Sequence, residues 1–356
     1  MILLSSIISQ FKSLFFEKYK KVILPSHEKA LSAMEMCRTQ SAPHMLACCT
    51  NNECSHKVYV PHSCGHRHCP HCQNHESQRW IENQLQKKVP AQYYMLTFTI
   101  PNQLRDITWK NQKLMYSLLF LCVKEVLKTF TKNDKKLGGD PGFTMVMHTH
   151  ARNLAYHPHT HIVMPGASVD KKNKLWKVKT GEYIFNHKAL AKVFRAKLLK
   201  EMVDNNLHVP KKCPQKWVVD CKNVGKGDKA LLYLGKYLYR GVIQEKNILK
   251  CENGMVTFRY FHSKTNTYQT RCVPGEKFIR LIIQHVFPKG FRRVRDYGFF
   301  HSCSKQLIKV LQYILKCNPG TMLKKIKKRA KIICPCCGND MKIILTKIEF
   351  SDVCIS

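Results

Sequence analysis

Residues 48–72 read CCTNNECSHKVYVPHSCGHRHCPHC, and this density of thiols and imidazoles constrains the fold more than any other feature of the chain. Cys49 with Cys54 and Cys69 with Cys72 form two closely spaced pairs, separated by the strand-like segment KVYV. Tetrahedral zinc sites are assembled from such pairs, because each short loop presents two ligands to one ion. The stretch therefore predicts a structural Zn²⁺ site with these four cysteines as ligands.

The sequence leaves alternatives to this ligand set. Cys48 could replace Cys49. Further potential ligands could form a second site or enter the first: Cys37, His44, Cys64, His66 and His68. Cys334 and Cys337, in CPCCG, resemble half of a zinc ribbon whose other half the sequence does not identify. Buried or free thiols are the alternative to metal binding, but so many neighbouring cysteines and histidines are difficult to pack without an ion.

The chain has eighteen cysteines, which could also indicate disulfides, but clustered Cys and His in a large intracellular protein more often bind metal. The start, MILLSSIISQFKSLFF, lacks a basic leader and a small-residue cleavage site, so it predicts an amphipathic helix and not a signal peptide. No apolar run approaches the ~20 residues of a membrane-spanning helix. We therefore expect a cytoplasmic protein with no membrane partner, associated with the nucleoid if its host is bacterial.

The charge balance points to a polyanionic partner. Sixty Lys and Arg against 23 Asp and Glu give a formal net charge of +37, spread from FKSLFFEKYKK near the start to MLKKIKKRAKII near the end. Such an excess on a chain of 356 residues that is long enough to bury a core implies nucleic acid as the simplest partner.

Three segments differ in composition. Residues 1–90 predict an N-terminal helix and a zinc-binding domain, residues 91–300 a mixed domain, and residues 301–356 a basic helical tail with the CPCC motif. In the middle segment, strand-like YYMLTFTIP, GFTMVMHTH, HTHIVMP and KWVVDC alternate with helix-like QKLMYSLLFLCVKEVLKTF and NHKALAKVFRAKLLKEMV. GFTMVMHTH and HTHIVMP predict an antiparallel pair, KLWKVK an extension of that sheet, and MVTFRYFHSKTNTYQTRCV a hairpin. The mixture indicates the α+β class, with a central antiparallel sheet and flanking helices.

The segment YHPHTHIVMPG, residues 156–166, places histidines at alternate positions of a strand. Alternate side chains of a strand share a face, so His157, His159 and His161 point to the same side. Two imidazoles one residue apart can hold one divalent metal and leave positions open for water or phosphate, which predicts metal binding by His159 and His161. Ordinary surface or core histidines are the alternative. A third ligand could come from His148 or His150 on the preceding strand, from His157, or from a carboxylate or amide elsewhere.

The segment GDKALLYLGKYLYRGVI predicts a helix that begins near Asp228 and ends at Gly241. At about 100° per residue, one stripe forms the packing face: Leu231, Leu234, Leu238 and Val242. The opposite face carries two phenols one turn apart and three cations: Lys229, Tyr233, Lys236, Tyr237 and Arg240.

This helix could be only an aromatic patch on a basic surface. Beside a histidine-bound metal, it indicates nucleophilic attack on a phosphodiester. A tyrosine with a pKa of ~10 needs a metal and nearby cations to favour its phenolate.

The segments SCGHRHCPHCQ, HPHTHIVMPG and YLGKYLYRGVI occur in this order and are followed by FRYFHSKTNTYQTRCVPGEKFIRLIIQHVFPKGFRRVRDYGF. With them, the chain from about residue 37 to about residue 337 resembles the insertion sequence 91 family of rolling-circle transposases. The resemblance implies an endonuclease of the HUH (His-hydrophobic-His) superfamily, with metal ligands His159 and His161 on the sheet and nucleophiles Tyr233 and Tyr237 on a neighbouring helix. It also implies that the N-terminal zinc domain recognises DNA. One departure is Thr160, which stands at the hydrophobic position between the histidines.

The resemblance further implies a reaction. With Mg²⁺ or Mn²⁺, one tyrosine would cleave single-stranded DNA at a transposon end, forming a 5′-phosphotyrosine and a free 3′-OH. The other tyrosine would take part in the second cleavage and in transfer to target DNA. Lys236 and Arg240 could contact the scissile phosphate, and Arg292, Arg293 and Arg295 lie beside aromatics that could stack on bases.

Other functions could use parts of this sequence. A rolling-circle replication initiator would use the same histidines and tyrosines. A non-catalytic, zinc-dependent DNA-binding protein would explain the charge and the cysteines but not the paired tyrosines. A tyrosine recombinase would need no metal. The extended zinc region and the match beyond the tyrosines favour the transposase.

Overall fold

The computed structural model of the chain describes residues 2–39, 41–70, 72, 74–238, 241–262, 265–317 and 331–347. Its α-helices are α1 (Leu4–Tyr19), α2 (Pro25–Met36), α3 (Asn74–Gln86), α4 (Arg105–Lys110), α5 (Gln112–Asn133), α6 (His187–Asp204), α7 (Asp228–Leu238), α8 (Gly275–Ile283) and α9 (Lys305–Ile314). Its strands are β1 (His44–Cys49), β2 (Lys57–Pro61), β3 (Tyr93–Thr99), β4 (Asp140–His150), β5 (Tyr156–Pro165), β6 (Ala167–Asp170), β7 (Leu175–Val178), β8 (Val218–Asn223), β9 (Ile248–Glu252), β10 (Met255–His262), β11 (Thr267–Pro274), β12 (Val294–Gly298), β13 (Ile332–Ile333) and β14 (Asp340–Lys347).

The chain divides into two compact units, each made of separate stretches. The described residues of the first lie within 2–78, 241–286 and 331–347, and those of the second within 79–238 and 287–317. This division differs from the consecutive segments 1–90, 91–300 and 301–356 that composition suggested. The hairpin of β10 and β11, expected in the middle domain, belongs to the first unit because the chain returns to that unit after α7.

The second unit is organised by one antiparallel sheet in the order β7-β6-β4-β5-β3-β8, with β12 also paired to β4. The predicted pairing of GFTMVMHTH with HTHIVMP is confirmed, in a register that sets His148 opposite His159. The segment around KLWKVK extends the same sheet through β6, as predicted.

One face of this sheet forms the core of the second unit. Side chains such as Phe98, Met145 and Ile162 are fully buried in a cluster with apolar residues of α5 and α6. Because strand side chains alternate, the residues between them point to the opposite face, where the histidines lie. Thr160 occupies the core face and is fully buried, and in the described part of the chain its Oγ1 has no hydrogen-bond partner.

The first unit contains two smaller sheets. One has the order β11-β10-β9, and its Phe258 ring contacts Phe278 of α8 with the ring centroids 5.5 Å apart. The amphipathic helix predicted at the start of the chain is α1, which buries Ile7 and Phe11. Gly275 begins α8 against the Phe11 ring, so close that an added Cβ would lie 2.3 Å from it.

The other sheet of the first unit corrects the expected C-terminal helical tail. Residues 305–314 are helical, but residues 332–333 and 340–347 are strands in the order β13-β14-β1-β2. The segment MKIILTK pairs along β1, and its two isoleucines and threonine are residue types that favour strands. Met341 is buried in the small apolar cluster of this sheet. The α+β class with a central antiparallel sheet is confirmed. No helix within the described ranges is both long enough and apolar enough to cross a bilayer.

Candidate functional site

Three histidines converge on the sheet face opposite the core of the second unit. His159 and His161 lie on β5 and His148 lies on the neighbouring β4, and a nitrogen of each lies within 4.8 Å of the others. The Nε2 atoms of His159 and His161 are 3.1 Å apart. The structure therefore selects His148 among the possible third ligands. His157 is instead hydrogen-bonded through Nδ1 to Nη2 of Arg105, at 2.6 Å.

Hydrogen bonds from neighbouring groups orient two of these rings. The Nδ1 of His159 lies 2.6 Å from the carbonyl oxygen of His157, which can only accept, so this nitrogen is the donor. The Nδ1 of His161 lies 2.9 Å from the hydroxyl of Thr97 on β3. With both Nδ1 atoms engaged, the Nε2 atoms remain as the free ligand atoms, because the partner of one ring nitrogen sets the role of the other.

Burial keeps the cluster neutral. It lowers the pKa of His159 to about 4 and, with a contribution from His159, the pKa of His161 to about 3. Burial also lowers the pKa of His148 well below its ordinary value, and the nearby histidines add to the effect. Neutral imidazole is the form that binds a metal, so the cluster needs no deprotonation to coordinate one at neutral pH.

The donor set fits a divalent ion. Among the described residues, Nε2 of His148 is buried without a hydrogen-bond partner, as expected of a ligand atom. Three imidazoles suit first-row transition ions, whereas Mg²⁺ prefers oxygen ligands and retains several waters. Of the two ions implied by the resemblance, Mn²⁺ therefore fits these residues better than Mg²⁺.

A glycine turn and two contacts within the second unit fix α7 next to this cluster. Gly227 precedes it with φ +79°, in the left-handed region that favours glycine. Asp228 in its first turn accepts a hydrogen bond from the buried Lys88. Gly235 lies so close to α3 that an added Cβ would be 2.2 Å from Cγ1 of Ile81.

The two predicted tyrosines lie on the side of α7 away from its buried leucines. The Tyr237 ring stacks on His148, with centroids 4.8 Å apart and planes 21° apart, and on His150 at 5.2 Å and 8°. Tyr233 is 5.3 Å from Tyr237 between ring centroids and is 41% exposed. The predicted packing face is confirmed for Leu231, Leu234 and Leu238, which are buried. Val242, the fourth residue of that stripe, is half-buried and lies beyond Leu238, where the described part of α7 ends.

The environment of the tyrosines opposes ionisation of the free phenols. Burial raises the pKa of Tyr237 to about 12, and Tyr233 adds to this rise. Burial also raises the pKa of Tyr233. The Arg152 guanidinium acts in the opposite direction on the pKa of both. A phenolate here therefore needs further positive charge, such as a bound cation would supply.

Basic residues predicted to contact DNA are found in different settings. Lys236 is exposed on α7, one residue before Tyr237. Arg240 lies outside the described residues. Arg293 is buried. A groove of about 800 Å³ on the second unit is lined by cations that include Lys113, Lys124, Lys289, Arg292 and Arg295.

This groove is on the sheet face opposite the histidines. Arg295 pairs with Met145 of β4, a residue of the core face, and its guanidinium lies 4.3 Å from the centroid of the Phe120 ring. A cation stacked on an aromatic ring is held in place while its edge still offers donors.

The predicted zinc ligands fall into two clusters and not one. Cys69 and Cys72 lie with Cys37 and Cys64, and the four sulfurs are within 4.8 Å of one another. Cys49 and Cys54 lie elsewhere in the same unit, beside Cys334 and Cys337. The prediction that Cys49, Cys54, Cys69 and Cys72 share one ion is therefore wrong. The strand-like KVYV between the pairs is β2, and it separates them along the sheet.

The cluster of Cys37, Cys64, Cys69 and Cys72 fits a zinc ion. The Cys37 sulfur is 3.5 Å from those of Cys69 and Cys72, and the Cys64 sulfur is 3.6 Å from that of Cys72. A tetrahedron of sulfurs at ~2.3 Å from Zn²⁺ has edges of about 3.8 Å, close to these distances. Cys37 directly follows the last residue of α2 and is remote from the others in sequence, so spacing alone did not select it.

Sequence reasoning missed Thr97 and Arg152. Thr97 can be placed beside His161 only through the register of β3 with β5. Arg152 lies in the loop after β4 and has no sequence signal that connects it to the tyrosines.

The chain is similar to known proteins over most of its length. Residues 7–100 match the family model described as "Transposase zinc-binding domain", and residues 142–307 match the one described as "Putative transposase". The chain is 30% identical over 300 residues to "Putative transposase y4qJ" of Sinorhizobium fredii, covering 77% of this chain and 74% of that protein. It is 25% identical over 296 residues to "Transposase for insertion sequence element IS801" of Pseudomonas savastanoi pv. phaseolicola, covering 76% and 70%. No solved structure matches it.

Proposed function

Because the chain belongs to the insertion sequence 91 family of transposases, whose substrate is DNA, we propose that it moves a mobile element by rolling-circle transposition. In this proposal it is a metal-dependent nuclease and strand transferase that acts on single-stranded DNA in the cytoplasm, at the nucleoid in a bacterial host. The substrates are the two transposon ends and the target DNA, and the unit with the cysteine clusters recognises the ends.

The observation that carries the proposal is the contact of Tyr237 with the histidine cluster. Its ring stacks on His148, which supplies one of the three converging nitrogens. A phosphodiester beside this cluster would thus also lie beside a phenol, which is the arrangement that nucleophilic catalysis requires.

Each cleavage exchanges one phosphodiester for another. The Tyr237 oxygen attacks the scissile phosphorus, its proton passes to solvent, and the bond from phosphorus to the 3′ oxygen breaks. The released 3′ oxygen takes up a proton, and the 5′ phosphate remains bonded to the tyrosine. Attack by another 3′-OH on this phosphotyrosine reverses the exchange and restores the phenol, so no ATP is needed.

The two tyrosines have different environments and hence different proposed roles. A divalent cation held by His148, His159 and His161 would polarise the scissile phosphate and favour the phenolate. Tyr237, in contact with the cluster, makes the first cleavage, assisted by the positive charge of Arg152. Tyr233, more exposed and one turn earlier, makes the second cleavage after the first product is covalently held.

Two cationic surfaces are proposed to hold the DNA backbone. Lys236, exposed beside Tyr237, contacts a phosphate next to the cleaved bond, and Arg240 has the same role. The groove lined by Lys289 and Arg292 holds a more distant part of the strand. Replacing Lys289 and Arg292 with glutamate should weaken DNA binding and make it less dependent on salt. The slope of log affinity against log salt concentration should fall by roughly one for each phosphate that the variant no longer neutralises.

The test uses labelled single-stranded oligonucleotides that span each end of the element, with and without Mn²⁺ or Mg²⁺. Wild type is compared with Tyr233→Phe, Tyr237→Phe, the double variant and His159→Ala/His161→Ala. Tyr313→Phe on α9, a highly exposed tyrosine, is the matched control. The expected result is a metal-dependent, SDS-resistant adduct on the 5′ end of the downstream fragment, absent from Tyr237→Phe and present in Tyr313→Phe.

The single variants separate the two tyrosines. Tyr233→Phe should still form the first adduct but fail to join the two ends. A wild-type protein that binds these strands and forms no adduct with any metal would refute the catalytic proposal and favour a DNA-binding protein without catalysis. An adduct that persists in the double tyrosine variant would refute the assignment of the nucleophiles.

A further inference from the structure

The cluster of Cys49, Cys54, Cys334 and Cys337 has no role in the proposed reaction. Its four sulfurs lie within 4.8 Å of one another. The Cys49 and Cys337 sulfurs are 3.4 Å apart, and those of Cys54 and Cys334 are 3.8 Å apart. Both distances are close to the edge of about 3.8 Å of a tetrahedral Zn²⁺ site with four thiolates. They are far longer than the ~2.05 Å of a disulfide.

Both ligand pairs lie in tight loops that direct hydrogen bonds at the sulfurs. The backbone N–H of Asn51 donates to Cys49 at 3.4 Å, and the side-chain amide of Asn339 donates to Cys337 at 3.5 Å. The second loop closes through a hydrogen bond from the N–H of Gly338 to the carbonyl of Cys334 at 3.0 Å. Gly338 has φ +72°, which this turn requires and which favours glycine. Such N–H groups stabilise thiolates, the form that binds zinc.

The strands around the cluster have too small a core to be stable alone. Among the described residues, the buried cluster there consists of Ala47 and Met341 with two of the cysteines, and neighbours such as Val58 and Ile343 are only partly buried. Sheets with so little buried apolar surface usually require a metal or disulfides to fold. A zinc ion bound by loops at the ends of these strands would provide that link.

We propose that these four cysteines form a second structural zinc site, which joins the two ends of the chain. Cys49 and Cys337, whose sulfurs are in contact, are 288 residues apart in sequence. Cys54 and Cys334 are 280 residues apart. The matched zinc-binding segment ends at residue 100, so half of this site is supplied from outside it. The site links β14 to β1, and the N-terminal sheet is completed only when the C-terminal strand and its ligands are present.

The site also explains an ambiguity in the sequence. Cys48 and Cys336 adjoin the proposed ligands but are not members of the cluster. On a strand, Cys48 points to the face opposite Cys49, and Cys336 is exposed in the CPCC loop. Substitutions of these two cysteines are therefore matched controls, because each removes the same chemical group one position away from a ligand.

The experiment measures zinc per chain in the full-length protein by elemental analysis after exhaustive dialysis. Because three imidazoles also suit zinc, every protein in this experiment carries His159→Ala/His161→Ala, which removes the histidine cluster. The parent, Cys48→Ser and Cys336→Ser should then each hold two zinc ions, and Cys334→Ser/Cys337→Ser should hold one. A parent with one ion, or a Cys334→Ser/Cys337→Ser variant with two, would overturn the proposal. A disulfide between two of these cysteines in the freshly purified protein would also overturn it.

A second variant keeps the test decisive if the serine variants misfold. Cys337→His retains a zinc ligand, so the protein should keep two ions. After exchange of zinc for Co²⁺, the visible absorption of this variant should change from that of four thiolates to that of three thiolates and one imidazole. An unchanged spectrum would exclude Cys337 as a ligand. Neither measurement depends on DNA cleavage, so the result stands whether or not the proposed reaction is correct.

Discussion

Replacement of Thr97 by valine tests the orientation of the histidine cluster. The Thr97 hydroxyl lies 2.9 Å from Nδ1 of His161 and is the contact that fixes this ring for coordination through Nε2. Loss of such an outer hydrogen bond typically lowers metal affinity 10–100-fold. The bond here joins two neutral groups, and a neutral hydrogen bond contributes about 1–1.5 kcal/mol, which corresponds to a loss of about five- to tenfold in affinity.

The assay is a Mn²⁺ titration of the metal-free protein by calorimetry, beside the Mn²⁺ concentration that gives half-maximal cleavage. Thr99→Val is the matched control, because Thr99 lies on the same strand opposite His159, whose Nδ1 is already engaged by the His157 carbonyl. Thr97→Ser should bind almost as the wild type does, since it keeps the hydroxyl. Equal affinities for Thr97→Val and wild type, or an equal loss in Thr99→Val, would refute the reasoning.

Three further predictions concern stability. Thr160→Val should raise the free energy of unfolding by about 1 kcal/mol in urea titrations, because it removes a buried hydroxyl that has no partner among the described residues. Thr144→Val is the control and should lower the free energy of unfolding, because the Thr144 hydroxyl lies 2.6 and 2.9 Å from its hydrogen-bond partners. Gly235→Ala should lower the free energy of unfolding by about 1–3 kcal/mol through overlap with Cγ1 of Ile81, and in an Ile81→Ala background, which lacks that atom, the same change should cost less in thermal unfolding. The metal-free protein should lose stability as pH falls from about 6.5 toward 4, because burial holds the pKa of His161 at about 3 while the unfolded chain binds protons at the ordinary His pKa of 6.5. Urea titrations of His161→Asn should show a smaller loss over that range, and an equal loss would contradict this account.

Local patterns were sufficient for several elements of the second unit. The alternation in YHPHTHIVMPG predicted a strand with His159 and His161 on one face, and the leucine stripe predicted which side of α7 packs. Both patterns depend on the geometry of one strand or one helix, which consecutive residues define. The 3.6-residue repeat also placed Tyr233 and Tyr237 together before any tertiary contact was known.

Long-range partners could not be predicted in the same way. Close spacing grouped Cys49 and Cys54 with Cys69 and Cys72, but the fold gives each pair different partners. The error arose because zinc ligands are chosen by proximity in space, and Cys37 and Cys334 approach these pairs only through packing of α2 and pairing of β14 with β1. The helical tail expected after residue 301 failed for the same reason, since a strand forms there only beside an available edge.

The sequence by itself determined that this chain carries cysteine clusters, a histidine strand, a tyrosine helix and a charge of +37 suited to DNA. The cysteine clusters and the charge depend on residue chemistry alone. The histidine strand and the tyrosine helix depend in addition on periods of two and 3.6 residues. The tertiary structure alone decided that His148 is the third converging imidazole, that Tyr237 is the tyrosine in contact with the cluster, and that the two ends of the chain share a cysteine site. Those outcomes depend on strand register and on contacts between distant segments, which are settled only when the chain buries its apolar faces.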